Sequence, residues 1–341
     1  MKVRLLVLVT GLGALMSGVP VLARVDPPTP ADDGPVAARS APALALLQQA
    51  ARAARTRAWS GTQQVVTMRD GKPVSTVLEV RHTPGTGSTV RVLSPASGAA
   101  AVADVLDDRL LGLLADHYDL RVGGRVRCAG YSARLVEALR PGRAHAVAAR
   151  FWLDTTTGLV LRRDVLDTTG DLARSSAFVD LQVRPTAAVA QPLVAVVHPT
   201  GEHLDGPALD ALSDQGWPLP RLLPAGLELF EARMHEGGSG EVLQLSYSDG
   251  LSTLSLFVQP GVLPSGLSAG QPPGDRQGSP ERVVWSGAGR TWTLVSDAPQ
   301  EVVDAAVAAL PHEQPPAAHD GVLARAWRGM SRVGAWLNPF D

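Results

Sequence analysis

The sequence predicts an α+β protein of two antiparallel-sheet domains, and three observations carry that prediction. Apolar residues alternate with a period of two along much of the chain, punctuated by Gly, Pro and Asp-Gly turn signals. Helical spacing is limited to a few short stretches. The length of 341 residues exceeds what one hydrophobic core usually serves, which favours two domains with exported and linking segments.

From the N-terminus, Met1-Lys2-Val3-Arg4 precedes an apolar run from Leu5 to Ala23, so residues 1–23 read as a signal peptide. The alternative is an uncleaved N-terminal anchor, since the run approaches the ~20 residues that span a bilayer, although Gly11, Gly13 and Pro20 interrupt it. Either way the bulk of the chain is expected outside the cytoplasm, in a periplasm or on the outer face of the cytoplasmic membrane. Residues 24–40, rich in Pro, Asp and Ala, form a flexible spacer.

The first domain is expected over residues 41–186. Pro42 takes a first helical position, and Leu44, Leu47, Ala51 and Ala54 give one apolar stripe opposite Gln49, Arg52 and Arg55. A hairpin follows, with arms Trp59–Met68 and Pro73–Arg81 around Asp70-Gly71. Further strands are expected at Val90–Leu93, Ala133–Ala138, Ala148–Asp154, Val160–Asp167 and Ala177–Val183. The stretch Ala99–Leu120 suits a helix or a strand pair equally and stays unassigned. Residues 187–206 form the connector.

The second domain, smaller and also α+β, is expected over 207–311. A short helix at Pro207–Gln215 leads through Leu223-Pro224-Ala225-Gly226 into a strand at Leu227–Met234. A second hairpin has arms Glu241–Tyr247 and Leu251–Gln259, with Asp249-Gly250 as a tight turn. Strands at Val283–Trp285 and Thr291–Val295 and a helix at Pro299–Leu310 complete it. The tail, 312–341, carries an amphipathic segment with Arg325, Arg328 and Arg332 towards one side and Trp327 and Trp336 at the interface. It either meets a membrane surface or a partner, or docks back on the domain.

Composition narrows the function. The 45% hydrophobic and 19% charged fractions fit a folded globular chain. A net charge of -2 removes the phosphate attraction that nucleic-acid binders use. Lysine occurs only at Lys2 and Lys72 and asparagine only at Asn338, a bias that fits a GC-rich genome. Cys128 is the sole cysteine, so neither an intramolecular disulfide nor a cysteine metal cluster can form. It reads as a small buried residue rather than a redox thiol.

Catalytic patterns fail in turn. Gly85-Thr86-Gly87 lacks the third glycine of a dinucleotide fingerprint, and Gly237-Gly238-Ser239-Gly240 is not a nucleophile elbow. His198, Glu202 and His203 miss metalloprotease spacing and are broken by Pro199 and Gly201. Asp107-Asp108 reads as a solvated pair rather than an acid/base couple. No catalytic, metal or cofactor residue is assigned, and the chain is expected to be a binding protein and not an enzyme.

Tyr247-Ser248-Asp249-Gly250-Leu251, followed by the alternating strand Ser252–Val258, resembles a segment of the RseB/MucB regulators of sigma-E factors. Three further stretches agree in order: Trp59-Ser60-Gly61-Thr62; Phe151-Trp152-Leu153-Asp154 with Gly158-Leu159-Val160-Leu161; and Leu223-Pro224-Ala225-Gly226. The resemblance spans residues 41 to about 310. It implies an N-terminal half-open antiparallel sheet wrapped over helices, similar to the lipoprotein carriers LolA and LolB, with a smaller C-terminal domain. It also implies a membrane-bound anti-sigma factor as partner, bound through its outer domain and shielded from proteolysis, with release triggered by a lipid-type ligand. The second reading of the same scaffold is a lipid or lipoprotein carrier of the cell envelope. Tyr247, Ser248, Asp249 and Gly250 are read as closing a hairpin or, alternatively, as a partner-binding edge. Trp59, Val65, Trp152 and Leu153 are read as core or, alternatively, as lining an apolar cavity.

Overall fold

The computed structural model describes residues 36–69, 71–93, 106–143, 146–184, 201–237, 240–263 and 281–312. Helix α1 (Val36–Thr56) buries Ala43, Leu47, Ala50 and Ala51. It begins within the range expected as spacer and holds Pro42 in its interior, not at its first position. The proline costs one backbone hydrogen bond. Alanines on either side favour the helix, and Ser40 Oγ accepts the Leu120 N–H at 3.0 Å, tying the helix to the sheet next to Pro42.

Eight strands follow: β1 (Ala58–Arg69), β2 (Lys72–Thr83), β3 (Gly87–Val92), β4 (Asp119–Cys128), β5 (Tyr131–Leu139), β6 (Val147–Asp154), β7 (Val160–Leu166) and β8 (Leu172–Arg184). They form one antiparallel sheet in the order β3-β2-β1-β8-β7-β6-β5-β4. The open sheet with α1 and α2 (Asp108–His117) packed on it is the mostly β α+β architecture expected. Within the stretch 99–120, residues 106–120 are described and hold a helix and the start of a strand: Asp107 caps α2 by accepting the Leu110 N–H at 2.7 Å, and β4 follows directly.

Arg121, Glu137, Arg150, Asp164 and Ser175 stand directly opposite one another across β4 to β8, so they form one row on one face. Glu137 accepts from Arg121 at 2.6 Å and from Arg150 at 3.2 Å. Asp164 accepts from Ser175 Oγ at 2.7 Å and is held by two bonds from Arg162. These side-chain bonds join β4, β5 and β6 through Glu137 and β7 and β8 through Asp164.

The second sheet contains β9 (Glu202–His203), β10 (Leu222–Leu223), β11 (Leu227–Gly237), β12 (Gly240–Ser248), β13 (Thr253–Pro260), β14 (Glu281–Gly287) and β15 (Arg290–Ser296). Its order is β10-β11-β12-β13-β15-β14, with β9 also on β11. Helices α3 (Gly206–Asp214) and α4 (Gln300–Ala309) supply residues to its main core, where Trp285 and Trp292 stack with centroids 5.9 Å apart. Ser248 pairs with Thr253, so the second hairpin closes through four residues, 249–252, and not through the tight Asp-Gly turn expected. Leu251 and Ser252 leave the strand because Asp249 Oδ1 accepts both their N–H groups, at 2.9 and 2.8 Å.

Among the described residues no helix is long and apolar enough to cross a membrane. The N-terminal segment 1–23 and the amphipathic tail lie outside the described residues, as does His198.

Candidate binding sites and the junction between the sheets

The motif Tyr247-Ser248-Asp249-Gly250 turns inward. Tyr247 is fully buried and donates its hydroxyl proton to Pro220 O at 2.8 Å within the second sheet's own layer. Ser248 Oγ donates to Ser252 O at 2.7 Å and accepts the Gly250 N–H at 2.9 Å, which fixes the loop. Asp249 Oδ2 accepts from Tyr118 Oη at 2.6 Å, across to the first sheet's layer. Burial, with the Asp249 carboxylate next, holds the Tyr118 hydroxyl proton far above the ordinary tyrosine range. Burial alone does the same for Tyr247.

Gly250 lies against α2. With φ at +89°, a Cβ there would stand 2.5 Å from Leu114 Cα and 2.7 Å from Leu114 Cβ, so only glycine lets the loop approach. Leu251 then enters the core formed by α1, α2 and the first sheet, and Arg163 donates to its carbonyl. In this arrangement the four motif residues serve the chain's own junction.

Other contacts surround this one. His117 Nε2 and Glu228 Oε1 are 3.0 Å apart, and Gly226 sits where a Cβ would be 3.1 Å from the His117 ring. Arg174 pairs with Asp297, whose other oxygen accepts the Thr253 N–H at 2.8 Å. Glu301 accepts the Thr168 N–H at 3.1 Å. Sequence reasoning did not single out His117, Glu228, Arg174, Asp297 or Glu301. The Gly226 and Gly250 motifs were visible, but the α2 residues they meet lay in the unassigned stretch.

The cavity candidates separate. Trp59 donates its indole N–H to Ala54 O at 3.1 Å, stacks on His82 and meets Phe178 edge-on. Val65 packs with Leu78 and Val80 beside it. Trp152 packs with Cys128, Leu135 and Leu161 under the Arg162 guanidinium, 5.0 Å from its ring centre. Leu153, one residue on, faces the other way into the cluster with α1, Leu114 and Leu251. Cys128 is buried, which pushes its thiol up despite Arg162 nearby. Arg325, Trp327, Arg328, Arg332 and Trp336 lie outside the described residues. Among those described, no group of three or more His, Cys, Asp or Glu residues is placed to hold a metal ion.

Two motif glycines have local reasons of their own. A Cβ on Gly61 would press on the Asp180 carbonyl and lie 3.0 Å from Phe178 Cδ1, where β1 meets the bulge in β8. Gly158, at φ +79°, closes the β6–β7 turn that Asp154 holds by accepting the Thr157 N–H at 2.9 Å.

Residues 86–197 match the family model described as the MucB/RseB N-terminal domain. The crystal structure of MucB is 22% identical, with 79% of this chain and 97% of that chain covered and a TM-score of 0.48. The complex structure of Pseudomonas aeruginosa MucA/MucB gives 21%, 80% and 100%, with a TM-score of 0.47. A LolA superfamily protein from Nitrosomonas europaea gives 9%, 84% and 98%, with a TM-score of 0.19. No curated protein matches the chain.

Proposed function

We propose that this chain, which belongs to the RseB/MucB family through its N-terminal domain at 86–197, binds the outer domain of a membrane-bound anti-sigma factor. Proteins of that family are regulatory binding proteins and not enzymes. The family match is the observation that carries this reading, and the ordered sequence motifs support it. We place the chain outside the cytoplasm, where residues 1–23 would direct it. Its regulatory action is to shield the anti-sigma factor from proteolysis and so restrain an envelope-stress sigma factor. A lipid-type ligand lifts that shield.

Crosslinking the tagged chain outside the membrane of its native host, followed by mass spectrometry, tests the reading. Recovery of a single-span protein with a cytoplasmic sigma-binding domain is expected. Recovery of lipids or lipoproteins alone would replace it with the carrier reading, for which the apolar clusters around Trp59 and Trp152 speak.

A further inference from the structure

Among the described residues, the cores of the two layers are almost separate in sequence. The main core of the second sheet draws only on residues from Leu204 onwards. The core around α1 and α2 draws on residues up to Val160, with one exception, Leu251. Among the described residues, a single leucine side chain therefore joins the two buried cores. The other described contacts across the junction are mostly polar or charged: a Tyr–Asp hydrogen bond, a His–Glu pair, an Arg–Asp pair, a backbone N–H on Glu301, the Arg163 bond to Leu251 O, and the Arg109 guanidinium 5.7 Å from the Phe230 ring centre.

An interface with one apolar anchor and a polar surround resembles the contacts between domains that move relative to each other, rather than a common core. Water can replace each polar partner when such an interface opens, so the net cost of giving up these bonds is far smaller than their gross strength. The apolar anchor adds the burial of one leucine side chain. The loop itself is held by bonds that do not cross the junction, from Ser248 and Asp249 to Gly250, Leu251 and Ser252. It would leave the first layer as a preformed unit.

We infer that the Asp249-Gly250-Leu251 turn is a releasable lock: seated between Leu114, Tyr118 and Arg163 it fixes the angle between the two sheets, and unseated it frees them to rotate as intact bodies. The lock stands on the junction geometry and is independent of which partner the chain binds. It gives a two-domain regulator two discrete arrangements that a ligand can bias.

The test uses the full chain with Cys128 replaced by alanine and spin labels on cysteines at Val179 and Leu222, both strongly exposed and one on each sheet. Electron-spin distance measurement should give one narrow distribution in this parent. L251A, and separately the mild pair Y118F with D249N, should add a broad second component while circular dichroism retains both sheets. Y247F, which loses only a bond inside the second layer, should keep the narrow distribution. If L251A does not fold, the Y118F/D249N pair decides. An unchanged narrow distribution in that pair, or an equal broadening in Y247F, would overturn the lock.

Discussion

Replacing Gly250 with alanine should destabilise the protein through two separable effects. Holding a non-glycine residue at positive φ costs about 1–3 kcal/mol. The added methyl group also meets the Leu114 backbone, and forced overpacking costs about 1–3 kcal/mol. Together these give roughly 4 kcal/mol, or a fall in Tm of about 8–16 °C at the ~2–4 °C per kcal/mol usual for 150–250 residues. Gly130 supplies the control: its φ is +84°, nearly the same, yet nothing lies within 4 Å of the Cβ position. Gly130→Ala should thus pay only the backbone cost. Urea unfolding followed by circular dichroism measures both variants. If Gly250→Ala is no more destabilised than Gly130→Ala, the tight seat against α2 is wrong, and with it the account of the junction.

Other outcomes follow from the same structure. Tyr118 has its folded pKa raised by burial and by Asp249, so its contribution is complete below the unfolded value of about 10 and is lost as pH rises beyond it. Stability should fall in that alkaline range, and Tyr118→Phe should lessen the fall. His235 behaves oppositely: burial lowers its pKa, so its contribution holds above about 6.5 and is lost as pH falls through that value. His235→Gln should flatten the acid limb of a stability profile measured between pH 5 and 8, a window set by the usual histidine range of about 6.5. Glu137→Ala should cost about 2 kcal/mol by leaving Arg121 and Arg150 without their shared acceptor, read by chemical denaturation. Trp292→Ala should cost about 3–5 kcal/mol, since the indole is fully buried and stacked on Trp285.

Much of the fold was legible because local rules and tertiary packing agree. The hairpin of β1 and β2 has alternation, Arg69 pairs with Lys72, and Gly71 takes the positive φ that a tight turn needs. Helix α4 carries its spacing in Val302, Val303, Ala306 and Leu310, of which Val303, Ala306 and Leu310 are buried. Strand β4 was legible only near Cys128: Leu120, Val122, Val126 and Cys128 alternate with Arg121, Arg125 and Arg127, but Gly123-Gly124 break the run in the middle, where the pairing is irregular. Helix α2 was hidden by Leu110, Leu111, Leu113 and Leu114, which suit either period, although Asp107 three residues before Leu110 was a capping signal. The second hairpin's turn departed from its two-residue form where Asp249 Oδ1 gathers the Leu251 and Ser252 N–H groups, and the loop so formed presents Oδ2 to Tyr118, 131 residues earlier in the chain. No local rule contains that contact. The same holds for the site: the motifs were readable as motifs, whereas their inward direction depends on what packs over them.

The most direct test of the central claim is a calorimetric titration of the purified chain with the outer domain of the anti-sigma protein encoded in the same organism, paired with protease digestion of that domain. Saturable binding, together with slower cleavage of the bound domain, is the predicted result. A chain that is folded by circular dichroism yet neither binds that domain nor slows its cleavage would contradict the account.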